Sequence, residues 1–304
     1  MQERVTMSSQ KRNPVVQQVL VEQNQGHEGR RGILTTLEQD FGRPVVTFFT
    51  SFSYPVQIED ADADMLEGVL RTLHLTKGLA LCINSPGGDG LAAERIINVC
   101  RNYSGTGEYW VIVPGKAKSA ATMVCLGASK IIMSATSELG PIDPQVTTAE
   151  NDMVKRFSVY NIIKGYEDLF TRAVKAKGNL QPYLQQLANY DERDIMEYRA
   201  ALSLAEDIAV RHLASGMMSG KNDTQIKDNM KIFLTPERTK THGRPIYKDE
   251  AQGCGLTIDG KNLQDPVWER VYELYIRTDN FVKTRVAKCV ESKEHSFVAT
   301  LKEQ

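Results

Sequence analysis

The strongest constraint on the fold comes from two uninterrupted apolar runs, at residues 78–84 and 109–113. Strands that are apolar on both faces are typical of a parallel sheet that is covered by helices. A helical pattern over residues 91–103 separates the two runs, and a β-branched and aromatic strand at residues 44–50 precedes them. Strands and helices alternate at the spacing of β-α-β units. The pattern therefore predicts an α/β fold with a mostly parallel sheet.

The rest of the chain divides into segments of different character. We expect a flexible arm over residues 1–29, containing a short helix at 15–22, and an αβ core over residues 30–150. A helical extension with a closing turn and strand region is predicted over residues 151–285, followed by a polar tail over residues 286–304. Further elements are predicted as helices at residues 63–75, 119–126, 159–177, 191–215, 224–232 and 265–284, and as a strand at 130–133. Ser158 is expected to cap the helix that begins at residue 159.

Composition argues against several classes of partner and cofactor. The formal net charge of −1 gives no electrostatic case for binding nucleic acid or an anionic membrane surface. No apolar run reaches the roughly 18 residues of a membrane span, and the polar N-terminus lacks the apolar core of a signal peptide. The five cysteines are scattered without metal-ligand spacing, so we expect a reducing, cytoplasmic compartment and neither metal nor other cofactor.

Two short motifs carry the chemistry of the chain. The first is the Pro86-Gly87-Gly88 turn, which follows the apolar run at residues 78–84. The second is Ser119, which follows the apolar run at residues 109–113 and begins a helix of small residues. Glycines let a substrate approach the backbone closely, and the C-terminal ends of parallel strands open onto one edge of the sheet. Together they suit a serine acyl-transfer site, with N–H groups facing an oxyanion and a hydroxyl beside them. The alternative is an ordinary turn and an ordinary N-cap serine.

The order and spacing of several motifs resemble the serine dehydrogenase proteinase family, a branch of the Clp/crotonase fold related to the Clp protease proteolytic subunit and signal peptide peptidase A. The resemblance covers about residues 31–256 and is carried by residues 83–88, 115–121 and 140–145, by residues 241–246, and by Glu250-Ala251 with Gly255-Leu256. It implies a Clp/crotonase-like fold of repeated ββα units with a helical C-terminal part. It also implies that Ser119 is the nucleophile and that the N–H groups of Gly87 or Gly88 and of Ala120 form the oxyanion hole.

The general base departs from the pattern of the Clp subunit. Where that family has its histidine, this chain has Ile142-Asp143, and near the place of the family's aspartate it has His242. One interpretation is an exchange, with His242 as base and Asp143 as its orienting carboxylate, since triads are defined by geometry and not by chain order. Signal peptide peptidases use a lysine, which makes Lys164 the alternative base if it is desolvated. In the structural alternative, His242 and Asp143 simply cap a turn and a loop.

Three functions are consistent with these residues. The leading one is a serine peptidase that forms an acyl-enzyme on Ser119 and cleaves peptides or unfolded proteins as a self-compartmentalising homo-oligomer. The helix predicted at residues 191–215 is its natural interface, and a separate regulatory or ATPase partner is left open. The first alternative is a crotonase-type acyl-CoA enzyme, which also polarises a carbonyl with paired N–H groups. The second is a catalytically weak or inactive Clp-fold scaffold, suggested by the displaced histidine.

Overall fold

The computed structural model describes residues 15–21, 26–150 and 153–300. Its strands are Val45–Thr50 (β1), Leu79–Asn84 (β2), Tyr109–Val113 (β3), Lys116–Ala117 (β4), Lys130–Ser134 (β5), Glu138–Leu139 (β6), Gln145–Glu150 (β7), Met153–Ser158 (β8), Ile258–Lys261 (β9), Lys288–Glu291 (β10) and Ser296–Ala299 (β11). Its helices are Val15–Val21 (α1), Glu28–Phe41 (α2), Asp60–Leu70 (α3), Gly90–Tyr103 (α4), Ala120–Leu126 (α5), Val159–Lys175 (α6), Gln181–Leu187 (α7), Glu192–Ala214 (α8), Asp223–Asn229 (α9), Lys231–Leu234 (α10), Pro236–Thr239 (α11), Lys248–Gly253 (α12) and Pro266–Thr284 (α13).

Strands from both ends of the chain build one central sheet. Within the described ranges it has seven strands, in the order β11-β10-β1-β2-β3-β5-β9. The strands β1, β2, β3, β5 and β9 pair in parallel, while β10 and β11 run antiparallel at one side. The predicted α/β class with a mostly parallel sheet is confirmed.

Both faces of the sheet are buried, which explains the uninterrupted apolar runs. In β2, Leu79, Leu81 and Ile83 pack into one core cluster, while Ala80 and Cys82 pack into another on the opposite face. Helices α3, α4, α5 and α8 cover the first cluster, and α2 and α13 cover the second. Because successive side chains of a strand point to opposite faces, every position of β2 has to be apolar or paired.

A layer of short strands extends the central strands at their C-terminal ends. After β3 the chain forms β4, which pairs in parallel with β6, the short strand that follows β5. Ser85, directly after β2, bridges to Ala117 of β4, and Leu139 of β6 bridges to Ile246. A long strand, a short strand and a helix follow one another in β3, β4 and α5, as expected for a ββα unit. This layer carries the motifs singled out from the sequence.

The predicted polar tail over residues 286–304 is wrong for most of its length. Strand β10 pairs with β1 and all four of its residues are buried, and β11 extends the sheet beyond it. Two of the four are charged and form buried ion pairs: Lys288 lies 2.9 Å from Asp62, and Glu291 lies 2.6 Å from Arg30. Because these core positions are charged, the apolar periodicity that would predict a strand is missing.

Other predicted boundaries also shift. The short helix predicted at residues 15–22 is present over residues 15–21, while residues 28–29 of the predicted arm begin α2. Residues 1–14 and 22–25 lie outside the described residues. The division predicted at residue 150 falls inside the β7–β8 hairpin, in which Gln145 pairs with Ser158. The helix predicted at residues 224–232 is split into α9 and α10 at Met230. No helix among the described residues is long and apolar enough to cross a membrane.

Candidate active site

Ser119 lies in a strained turn between β4 and α5. Its backbone has φ 50° and ψ −120°, a conformation that side chains disfavour, and its hydroxyl does not cap the helix that it precedes. The other non-glycine residue with positive φ within the described ranges is Lys240, which ends a helix in the common left-handed conformation. Strain at a strand-to-helix turn is one way in which a fold presents a nucleophilic serine. The ordinary N-cap interpretation of Ser119 therefore does not fit.

The glycine turn lies directly against this serine. Gly87 has φ 97°, and a Cβ atom at that position would lie 2.4 Å from the carbonyl oxygen of Lys118 and 2.7 Å from Cβ of Ser119. Two backbone hydrogen bonds hold the segments together, from the Ser85 N–H to the Lys116 carbonyl at 2.9 Å and from the Lys118 N–H to the Ser85 carbonyl at 3.0 Å. Only a glycine permits this approach.

The three predicted oxyanion donors differ in their hydrogen bonding. The Gly87 N–H donates to the hydroxyl of Ser85 at 3.2 Å. In contrast, the N–H groups of Gly88 and Ala120 have no acceptor among the residues that the structure describes. Gly88 shortly precedes α4 and Ala120 is the first residue of α5, and the N-terminal ends of helices favour negative charge. Of the predicted oxyanion donors, Gly88 and Ala120 are thus the free pair.

The structure brings His242 and Asp143 together from distant parts of the chain. Nδ1 of His242 lies 2.9 Å from Oδ1 of Asp143, whose side chain is fully buried, while the imidazole is 19% exposed. The pair of hydrogen bonds between Leu139 and Ile246, each 3.0 Å, anchors the two segments that carry them. A neutral imidazole that donates from Nδ1 to this carboxylate has Nε2 as its acceptor atom.

His242 and Ser119 line one cavity of about 730 Å³. No hydrogen bond joins their side chains in the described part of the chain, a common situation before substrate binds. Apolar side chains form much of the wall, among them Phe52, Val56, Met123, Leu204, Ala205 and Ile208. A mostly apolar cleft with a few convergent polar groups is the usual form of a binding site. No group of three or more metal-ligating side chains occurs within the described ranges.

The alternative base Lys164 lies away from this cavity. Its ammonium is half exposed on α6 and lies 2.9 Å from Oε1 of Glu237. That hydrogen bond raises the pKa of Lys164 above its usual value, which opposes a role as base. Lys118 does line the cavity, but its ammonium is paired with Glu138 at 2.8 Å.

A further residue in contact with the site escaped the sequence analysis. Ser158, expected to cap α6, makes no capping hydrogen bond, and its hydroxyl donates instead to Oδ2 of Asp143 at 2.8 Å. A serine before a helix signals a cap, and nothing in the local sequence points to a carboxylate 15 residues earlier.

Residues 37–165 match the model of the ClpP-like SDH-type serine proteinase family. The resemblance inferred from the motifs and the Clp-like fold that it implied are confirmed. The matched segment contains Ser119, both candidate oxyanion donors, Asp143 and Lys164, whereas His242 lies outside it.

Similarity to individual proteins extends beyond the matched segment. The chain is 28% identical to the uncharacterized protein MJ0137 of Methanocaldococcus jannaschii over 235 residues, which cover 77% of this chain and 68% of the relative. It is 33% identical to the uncharacterized protein MJ1495 of the same organism over 108 residues, covering 34% of this chain and 32% of that relative. Among solved structures, it is similar to a mutant of the 1510-N membrane-bound stomatin-specific protease, at 16% identity, with a TM-score of 0.29 and coverage of 47% of this chain and 72% of that chain.

Proposed function

We propose that this protein is a serine peptidase in which Ser119 is the nucleophile, His242 the general base and Asp143 the carboxylate that orients it. The observation that carries the proposal is the single cavity lined by a serine on a strained turn and a histidine bonded to a buried carboxylate. The match to a serine proteinase family supports the reaction class. Chain order is no obstacle, because the same triad geometry occurs in several orders.

The geometry leads to an acyl-enzyme mechanism. Nε2 of His242 takes the proton of the Ser119 hydroxyl as Oγ bonds to the peptide carbonyl carbon. The carbonyl oxygen becomes an oxyanion and accepts hydrogen bonds from the N–H groups of Gly88 and Ala120. Protonated His242 then gives its proton to the leaving amine as the C–N bond breaks. Water hydrolyses the resulting ester by the same proton transfers in reverse.

The wider setting of the enzyme is also part of the proposal. ClpP-like proteases are generally oligomeric, and we propose a self-compartmentalising homo-oligomer that acts on peptides and unfolded chains. Exposed apolar side chains on α6, α7 and α8 support an interface there: Phe170, Val174, Leu184 and Met196. The five cysteines are free thiols, the form kept in a reducing compartment, which supports a cytoplasmic location.

The test compares hydrolysis of a fluorogenic unfolded protein, such as labelled casein, by the wild type and by Ser119→Ala. We expect the wild type to release fluorescent peptides and the variant to lose this activity while its thermal midpoint is unchanged. Activity that survives in Ser119→Ala would contradict the proposal. A wild type that cleaves nothing, and whose thermal midpoint rises with coenzyme A, would favour the acyl-CoA alternative instead.

A further inference from the structure

Ser158 occupies the N-cap position of α6 without acting as a cap. An N-cap serine normally accepts a hydrogen bond from an N–H of the first helical turn, which stabilises the helix. Here no side-chain capping bond forms, and the hydroxyl donates to Oδ2 of Asp143 at 2.8 Å. The chain thus forgoes a local stabilising contact in favour of a contact with the carboxylate of the proposed triad.

This contact gives the second oxygen of Asp143 a hydrogen-bond donor. Oδ1 faces His242 at 2.9 Å and Oδ2 faces Ser158, so each carboxylate oxygen has one donor. Asp143 and Ser158 are both buried. Water therefore does not readily replace either donor, and an oxygen left without a partner in such a place is unfavourable.

The backbone around Ser158 fixes the distance between the two side chains. Gln145 lies two positions after Asp143 in the sequence, and Ser158 pairs with Gln145 at the base of the β7–β8 hairpin. The Val159 N–H donates to the carbonyl of Pro144 at 3.0 Å. The hydroxyl is therefore held by a sheet register and a helix start, and not by a mobile loop.

We propose that Ser158 is a positioning residue that locks the rotation of the Asp143 carboxylate. The torsion that turns a carboxylate is broad, so a single hydrogen bond to His242 leaves it free to swing. A second donor on Oδ2 holds Oδ1 against Nδ1 and so keeps Nε2 of the imidazole directed into the cavity. The inference rests on the proposed function, because it acts through His242 and Asp143.

The test measures the rate at which a fluorophosphonate labels the wild type, Ser158→Ala and Ser158→Thr. Loss of a hydrogen bond to a buried charged group should slow labelling by about tenfold to a hundredfold in Ser158→Ala. Ser158→Thr keeps a hydroxyl and should restore most of the rate. With a peptide substrate, kcat should fall in Ser158→Ala while KM stays near the wild-type value.

Ser104→Ala is the matched control, because Ser104 is also buried and its hydroxyl donates to the carbonyl of Glu108, which does not line the cavity. We expect this variant to label at the wild-type rate. In an Asp143→Asn background, Ser158→Ala should add little, since its target carboxylate is already gone.

The outcomes separate this inference from the function on which it rests. Wild-type labelling in Ser158→Ala, or a loss that is undiminished in the Asp143→Asn background, would overturn the positioning role while leaving the peptidase intact. A wild type that takes no label would overturn both. If Ser158→Ala does not fold, Ser158→Cys keeps the size with a weaker donor and should give an intermediate rate; a wild-type rate there would count against the role.

Discussion

Replacing Gly87 by alanine tests the packing of the glycine turn against Ser119. The added Cβ would lie 2.4 Å from the Lys118 carbonyl oxygen, and real Cβ contacts essentially never fall below 3.0 Å. Both close neighbours, that oxygen and Cβ of Ser119 at 2.7 Å, belong to the turn that carries Ser119, so this turn has to move by several tenths of an ångström. A misplacement of about 1 Å in a catalytic group lowers rates on the order of a hundredfold. We expect Gly87→Ala to label with fluorophosphonate at least about tenfold more slowly than the wild type.

The stability change needs its own control, because Gly87 also has φ 97°. Alanine in left-handed backbone is unfavourable by about 1–2 kcal/mol whatever surrounds it. Gly107 has φ 70° with nothing within 4 Å of an added Cβ, so Gly107→Ala carries the conformational penalty without the collision. Overpacking typically adds about 1–3 kcal/mol, so Gly87→Ala should be the less stable of the two variants.

Urea unfolding and labelling rates, measured on the same samples, separate the two effects. Gly107→Ala should lose stability and keep its labelling rate, while Gly87→Ala should lose both. If Gly87→Ala remains folded and labels as fast as the wild type, the close contact between the glycine turn and Ser119 is not what positions the nucleophile.

Further predictions concern the carboxylate of the proposed triad and two buried ionisable groups. Asp143→Asn should lower kcat on the order of 10³- to 10⁴-fold, because an amide favours the wrong tautomer of the histidine. A peptide-hydrolysis assay that gives an unchanged kcat would contradict this prediction. Burial lowers the pKa of His212 to about 4 from the usual 6.5, so between these pH values the unfolded chain binds a proton that the folded chain does not. The free energy of unfolding should therefore fall as pH drops from 6.5 to 4. Urea titrations at several pH values should show a flatter dependence on pH for His212→Leu. Burial alone would raise the pKa of Glu291, but its hydrogen bonds to Arg30 hold it below 4.5. The stabilisation from this pair should be present above pH 4.5 and lost as pH falls through the lowered pKa. At neutral pH, Glu291→Gln should lower the free energy of unfolding by about 3–5 kcal/mol, seen as a lower thermal midpoint, and the effect should be much smaller in acid.

The sequence was informative where one local pattern determines the structure. The runs that become β2 and β3 are apolar throughout, and burial on both faces of a sheet is the usual cause of such a run. It failed at β10, where Lys288 and Glu291 are buried only because distant residues neutralise them. It also failed at Ser158, whose local preference for capping is overridden by a carboxylate that the β7–β8 register places beside it.

The candidate site shows the same division. The glycine turn and the serine helix were recognisable because each is a short motif with its own backbone requirement. His242 and Asp143 are 99 residues apart in the sequence. Their approach depends on the backbone pairing of Leu139 with Ile246. No local pattern encodes such a contact. The family resemblance indicated which two positions to compare, and the fold brings them within hydrogen-bond distance.

The most direct measurement of the central claim is the site and rate of fluorophosphonate labelling, with the adduct mapped by peptide mass spectrometry. We expect one adduct, on Ser119, whose rate of formation falls at least about a thousandfold in His242→Ala and is unchanged in Lys164→Met. An adduct on a different serine, or a rate that depends on Lys164 and not on His242, would contradict it.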